Sequence, residues 1–404
     1  MTRVTTLSFS SPAPEVGHLL DLTDPAVVAD PYAALAACRA TAPVGWHSGL
    51  RMYVATSHAA CNAVLRDRAL GRIFTPREPD GDWETFNWLH ADSILDSEPP
   101  KHTRLRRLIA GAFGRGHVQR LAPRIEELTV GLVEDCAAQV REAGSFDVIE
   151  SLAEPLPVLV IAELLGVPDA DRHLLRPWSQ AIVKMYEMTR TAEQEVQAQT
   201  ASREFAAYVE ELAADRVAHP GTDLLSDLVA ARDGTDRLSP RELVATAVLL
   251  LNAGHEASVN GFGNGLASLL AAGGEFGDPV TLVEEMLRHD SPLHLFERTA
   301  THDTVIEGVP IRPGEKIAAL LGAANRDPAV FDEPDAFRPD RYPNPHLAFG
   351  AGIHFCVGAP LARLELATSA GVLLGRWPRL QVVEAVRRPT FVLRGYERLV
   401  VAPA

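Results

Sequence analysis

The stretch "RELVATAVLLLNAGHEASVNGFGNGLASLLAAG" (241–273) constrains this chain more than any other. Leucine and alanine carry it in at helical spacing, as a core helix. Its 33 residues reach about 50 Å at 1.5 Å each, enough to cross a whole domain. A chain of 404 residues that is 47% hydrophobic can bury such an element in a substantial core. In its middle the helix breaks its own rules. Asn252, Gly254, His255 and Glu256 arrive within five residues. Glycine costs a helix interior about 1 kcal/mol relative to alanine, and a carboxylate is seldom buried unless paired.

The flanking pattern is mostly helical. Residues 25–42 read as a helix, "VGWHSGLRMYVATS" as a β-hairpin about a Gly turn, and 58–66 as a further helix. A long irregular stretch is expected from 71 to 100, and loops of that length are uncommon unless functional. From 102 to 272 nearly everything is helical by spacing. Short strands follow in "TVIEGVPI" and "KIAALLG", then a Pro/Asp-rich meander, a helix over 360–376 and a strand-rich tail over 379–402. The expected fold is mainly α with a minor β part. No boundary divides it, so 1–404 reads as a single domain with a β-rich part at about 40–60 and a helical core at about 100–300.

Composition excludes several functions. The net charge is -15 with no Lys/Arg-rich run, which argues against nucleic acid and anionic membrane partners. No run of about 18 apolar residues spans a bilayer, and the N-terminus lacks the apolar core of a signal peptide. Cys38, Cys61, Cys136 and Cys356 are scattered, leaving no disulfide framework or Cys-rich zinc site. A reducing cytoplasm fits best.

The richest chemistry lies in "HLAFGAGIHFCVGAPLARLELA" (346–367). A lone cysteine is most often a small buried hydrophobe. Here Gly350, Gly352 and Gly358 let backbone amides come close, and Pro360 marks a helix start just beyond Cys356. Amides and a helix N-terminus aimed at sulfur favour thiolate. A thiolate with no second cysteine nearby suits a single axial metal ligand.

With these residues the chain resembles the cytochrome P-450 family of haem-thiolate monooxygenases, in its soluble bacterial form. "FGAGIHFCVG" (349–358) fits that family's haem-binding loop at every fixed position. "EEMLRHD" supplies Glu285 and Arg288, "FRPDR" supplies Arg341, and "HTRLRRL" matches the helix bearing haem-propionate partners. The resemblance implies haem b (iron protoporphyrin IX) between a long distal helix and the Cys loop with its proximal helix. It makes Cys356 the iron ligand, with Phe349, Gly350 and Gly358 shaping the loop. His102, Arg106, Arg298 and His354 are then the propionate partners, since buried carboxylates need charge-assisted donors. Glu285, Arg288 and Arg341 form a structural triad beneath the haem.

The resemblance also explains the long helix. Small Ala253 and Gly254 let its backbone lie near the porphyrin, and Gly254 permits a local widening of the helical ladder. Glu256 relays protons toward dioxygen, while the thiolate pushes electron density from the other side. Most relatives place Thr directly after the acid. This chain has Ala257 and then Ser258, which lies about 100° further round the helix. An ordered water or a substrate hydroxyl is expected to supply the lost donor. Substrate-assisted members, some acting on polyketide macrolactones, share this acid-Ala-Ser pattern.

The family's substrate-facing stretches map onto Phe86, Trp88 and Leu89, onto Trp178, Met185, Tyr186 and Met188, onto Leu293, His294 and Phe296, and onto Leu393 and Arg394, with Ala253 overhead. They suit a medium or large, mainly apolar substrate of secondary metabolism. Electrons are expected from a ferredoxin and its reductase, docking by Arg104, Arg107 and Arg363 on a monomeric protein. Two alternatives remain. One is a haem-thiolate binding or sensing protein without turnover, which has no need of Glu256. The other is a peroxide-driven or nitric-oxide-reducing enzyme, favoured by the missing Thr and opposed by the retained acid.

Overall fold

The computed structural model describes residues 13–404 except 111–114, 188–189, 232–235 and 274–276. The described chain opens with α1 (Pro25–Ala29), α2 (Tyr32–Thr41), the hairpin β1 (Val44–His47) and β2 (Met52–Ala55), α3 (His58–Arg66) and β3 (Leu70–Gly71). Next come α4 (Asp80–Ala91), α5 (Lys101–Ala110), α6 (Arg115–Ala143), β4 (Phe146–Asp147) and α7 (Pro155–Leu165), the last entered through a π turn at Ile149–Ala153. α8 (Arg172–Val183), α9 (Ala192–Ala218), α10 (Leu224–Ala230) and α11 (Pro240–Ala272) follow. Beyond α12 (Pro279–His289) lie β5 (Leu295–Ala300), β6 (Thr304–Ile306), β7 (Val309–Ile311), β8 (Lys316–Leu320) and α13 (Leu321–Ala324). α14 (Ala359–Arg376), β9 (Leu380–Arg387) and β10 (Tyr396–Pro403) close the chain.

α11 is the long helix of the sequence. Ser239 and Glu242 form a reciprocal capping box, Pro240 takes the first turn, and Gly273 ends the helix at φ 60°. It packs against α4, α7, α8, α9, α12 and α14, which explains why apolar residues surround it on most sides.

Two sequence expectations give way. Residues 25–42 form two helices, because Asp30 is extended and Pro31 follows it. The stretch 71–100 is not wholly irregular: α4 occupies its centre and buries Trp83, Phe86, Asn87 and His90 at helical spacing. Its polar and aromatic composition hides that periodicity.

The β part is three sheets. Five strands run in the order β1-β2-β8-β5-β3, with β2 and β8 parallel and the other pairs antiparallel. β4-β10-β9 and the β6–β7 pair make the other two.

The Pro/Asp-rich meander is held from inside by three buried charges. Arg288 donates to both oxygens of Glu285, at 2.7 and 2.8 Å, and Arg341 Nε lies 3.1 and 3.2 Å from the same oxygens. The remaining guanidinium nitrogens reach carbonyls of Asn325, Asp332, Glu333, Pro334 and Ala336. Two cations thus share one carboxylate and a ring of carbonyl dipoles.

Candidate active site

A stripe on α11 is left uncovered. Ala253 is exposed and Gly254 and Ala257 are half-buried, in a helix whose neighbouring residues are buried. Protein leaves Ala253 uncovered, whereas a Cβ on Gly254 would meet Ile161 of α7 at 3.4 Å. The helix runs through Gly254 without a π or 3₁₀ interruption.

The Cys loop turns tightly ahead of α14. Gly350 and Gly352 have φ of 69° and 72°, and a Cβ on Gly352 would sit 2.5 Å from the Leu65 carbonyl oxygen. Only glycine satisfies both the conformation and the approach. The Cys356 amide donates to Phe349 O at 3.0 Å, and Arg106 Nη1 donates to Phe355 O at 2.9 Å. The Phe349 ring lies under the Arg363 guanidinium at 4.5 Å. Cys356 is accessible from one side and enclosed on the others. That enclosure raises its pKa, although the amides of Gly358 and Ala359 and the guanidiniums of Arg106 and Arg363 pull it down. Burial thus opposes the thiolate that the amides and guanidiniums favour. A bound metal ion supplies the charge that deprotonates such a ligand.

Beside this loop, cations converge without enough anions. Arg298 is 1% exposed, its Nη2 has no partner, and burial brings its pKa down to about 9. It stacks on Phe296 at 4.5 Å. His102 is buried, its ring centroid 4.4 Å from that of His354, and burial first, then His354, lowers it to about 4. His354 Nε2 meets Glu98 Oε1 at 2.8 Å, and the same oxygen accepts the Arg72 amide at 2.7 Å. An orphaned, buried guanidinium nitrogen fits a ligand carrying carboxylates. A metal-bearing cofactor with two carboxylates would match these donors and the accessible sulfur.

On α11 itself, Arg388 Nη1 donates to Glu256 Oε2 at 2.6 Å. Ser258 turns away from the uncovered stripe and hydrogen-bonds Glu365 of α14, whose fully enclosed carboxyl is raised to about 8 by burial. His255 and Asn252 are buried with side-chain atoms unpartnered.

Comparison with known proteins settles the family. The Cytochrome P-450 family model matches residues 281–389. Nocardicin C N-oxygenase of Nocardia uniformis subsp. tsuyamanensis is 40% identical over 368 residues, covering 87% of this chain and 88% of that protein. The 6-deoxyerythronolide B hydroxylase of Saccharopolyspora erythraea is 36% identical over 402 residues, covering 94% and 97%. The crystal structure of the BioI P-450, in complex with hexadec-9Z-enoic acid ligated acyl carrier protein, superposes with a TM-score of 0.86. It is 34% identical and covers 93% of this chain and 99% of that one.

The chain belongs to the cytochrome P-450 family. It is a haem-binding monooxygenase with the mainly helical P-450 fold. Within this P-450, the substrate-facing candidates fall in different settings. Leu293 and Leu393 are half-buried and joined by a backbone bridge. Phe296 lies between Arg72 and Arg298. Phe86 and Leu89 are buried, Phe86 stacking on His90 at 4.0 Å. Trp88 sits beneath Arg241, and Trp178 packs on Phe205 and Tyr208 of α9. Met185 is buried and the Tyr186 hydroxyl meets His90 Nε2 at 3.1 Å, while Met188 lies outside the described residues.

The two polar candidates are committed elsewhere. Arg394 donates to Asp290 at 2.8 Å, and Asp290 also accepts from Arg387 and the Tyr32 hydroxyl. His294 is wedged between Tyr32 and Phe391, and burial lowers it to about 3. The expected basic patch is also largely neutralised. Arg104 pairs with Asp236 at 3.3 Å and with Glu242, and Arg363 makes two bonds to Glu284 at 2.6 and 2.9 Å. Among the described residues, no helix is long and apolar enough to cross a membrane.

Proposed function

We propose that this P-450 inserts one oxygen atom from O₂ into a medium or large, mainly apolar substrate in secondary metabolism, with the substrate assisting proton delivery. Haem, when bound, supplies the dioxygen activation and the electron acceptance that the reaction class requires. Cys356 would hold its iron, and Phe349, Gly350 and Gly358 would shape the loop around it. His102, Arg106, Arg298 and His354 would hold its carboxylates, Arg298 through the nitrogen that no protein group satisfies. A ferredoxin and its reductase, the electron source of bacterial P-450s, would serve this chain as well.

The observation that carries the proposal is the division of labour on α11. Ala257 faces the uncovered stripe with a methyl group, and Ser258, the nearest hydroxyl, is engaged with Glu365 on another face. No side chain at position 257 can donate a hydrogen bond. A substrate hydroxyl, or a water that the substrate orders, fills that role, and Glu256 provides the proton. Ala253 keeps the helix surface low enough for both.

The relatives support the substrate class. Their names place one on nocardicin C and one on 6-deoxyerythronolide B, and the half-buried pair Leu293 and Leu393 gives an apolar wall for such molecules.

The test is the ratio of product to released hydrogen peroxide with a reduced ferredoxin system. Ala257→Thr should raise that ratio severalfold, about 1 kcal/mol, on substrates lacking a hydroxyl near the oxidised carbon. It should leave the ratio unchanged on a hydroxylated substrate. An equal ratio on both kinds of substrate, before and after substitution, contradicts substrate assistance.

A further inference from the structure

Around Glu256 lies a cluster that the sequence does not announce. Arg388, just past β9, bonds Glu256 through Nη1 and lies 3.9 Å through Nη2 from Glu154, the residue entering α7. Glu154 also accepts from Gln180 Nε2 at 2.6 Å and pairs with Arg176, both on α8. Glu187, shortly after α8, accepts the Leu393 amide at 3.1 Å and lies within electrostatic reach of Glu256 and Arg388. Arg190 reaches the Glu187 carbonyl rather than its carboxylate. His255 completes the group, fully buried with neither ring nitrogen partnered.

Counting charges exposes an imbalance. Three carboxylates, Glu154, Glu187 and Glu256, face two guanidiniums, Arg176 and Arg388. His255 is neutral near pH 7, burial lowering it to about 4. With every acid ionised, the cluster carries one uncompensated negative charge inside the protein, which is costly. One bound proton removes it. Burial first, and then Glu256, raises the pKa of Glu154 against the pull of Arg176 and Arg388. Burial likewise raises Glu187, although backbone amides oppose it.

We propose that Glu154 holds this shared proton and reloads Glu256 after each proton that Glu256 gives up. The proposal rests on Glu256 being the proton-relay acid. The O–H bond on Glu154 breaks as one forms on Glu256, and no electrons move. Solvent restores the proton at the outer edge of the cluster, where the Arg176 side chain is 46% exposed. Glu154 itself is buried and meets solvent only through this edge. Glu154 acts through Glu256 and is a positioning residue, and Arg388 keeps the two acids on one cation.

The test uses folded ferric holoenzyme. In a Glu365→Gln background, which removes the other buried acid that keeps its proton at neutral pH, infrared difference spectra between H₂O and D₂O should contain the carbonyl stretch of one protonated, buried carboxylic acid. Glu154→Gln should remove it, slow product formation by about tenfold or more, and enlarge the solvent isotope effect. Its rate should then fall as pH rises, because bulk protons replace the stored one. Glu154→Asp should restore most of the rate and the band. Persistence of the band in Glu154→Gln, or its loss only in Glu187→Gln, overturns the proposal. A slower Glu154→Gln with a wild-type isotope effect and pH profile also overturns it, since a structural role alone explains that. Glu256→Gln separates the two levels. If it is slow while Glu154→Gln is normal, the relay stands and the reservoir fails. If neither changes product formation, the relay itself fails.

Discussion

The Glu285 triad and the Glu256 cluster are both made of arginines and glutamates buried against helices, and they are satisfied to opposite degrees. In the triad one carboxylate serves two guanidiniums, and the guanidinium nitrogens end on carboxylate or carbonyl oxygens. Around Glu256, acids outnumber cations, and His255 and Asn252 carry unpartnered buried atoms. Next to the Cys loop the imbalance reverses, with Arg298 short of an anion. Saturated polar networks lock one conformation. Unsaturated ones retain binding capacity, for a proton at Glu154 and for carboxylates at Arg298.

Three measurements sharpen or break that contrast. The largest effect is expected at the triad. Glu285→Gln leaves two buried guanidiniums without their carboxylate and should cost about 3–5 kcal/mol in denaturant unfolding. Glu256→Gln relieves an acid-rich cluster and should change stability by about 1 kcal/mol or less. Equal losses in the two variants would erase the distinction.

An effect smaller than that at the triad is expected at Glu365. Its carboxyl is raised to about 8 by burial, so the folded protein binds its proton more tightly than the unfolded chain does. The stability it contributes is complete at pH 4 and is lost as pH climbs through 8. Unfolding free energy should fall by about 1–3 kcal/mol between pH 5 and pH 8.5 on this account, and Glu365→Gln should flatten that slope. A variant with the parent's slope would place the titration elsewhere.

The legible and illegible parts of the site differ physically. The Cys loop was readable because its glycines, cysteine and helix-starting proline act on residues within ten positions of one another. α11 was readable because its apolar period persists for nine turns around a local break. Glu154, Arg388, Glu98 and Glu365 carried no such mark. Each gains its role from a partner far along the chain, as Glu256 does from Arg388 and His354 from Glu98. The same distance effect misled the reading of cations. Arg363 and Arg104 look free in sequence, but Glu284 and Glu242 neutralise them once the helices pack. Arg394 and His294 sit in stretches that border an apolar wall, yet Asp290, Tyr32 and Phe391 draw them inward. α4 was hidden because polar Asn87 and His90 interrupt the apolar residues of its buried face.

The most direct measurement is the carbon monoxide difference spectrum of the reduced, purified protein, taken beside Cys356→Ala. Thiolate ligation through Cys356 predicts a Soret band at the long wavelength typical of sulfur-ligated haem, lost in the variant while Arg298 and His102 still retain haem. A globin-like carbonyl spectrum in the folded parent, or a sulfur-type band that survives the substitution, would contradict it.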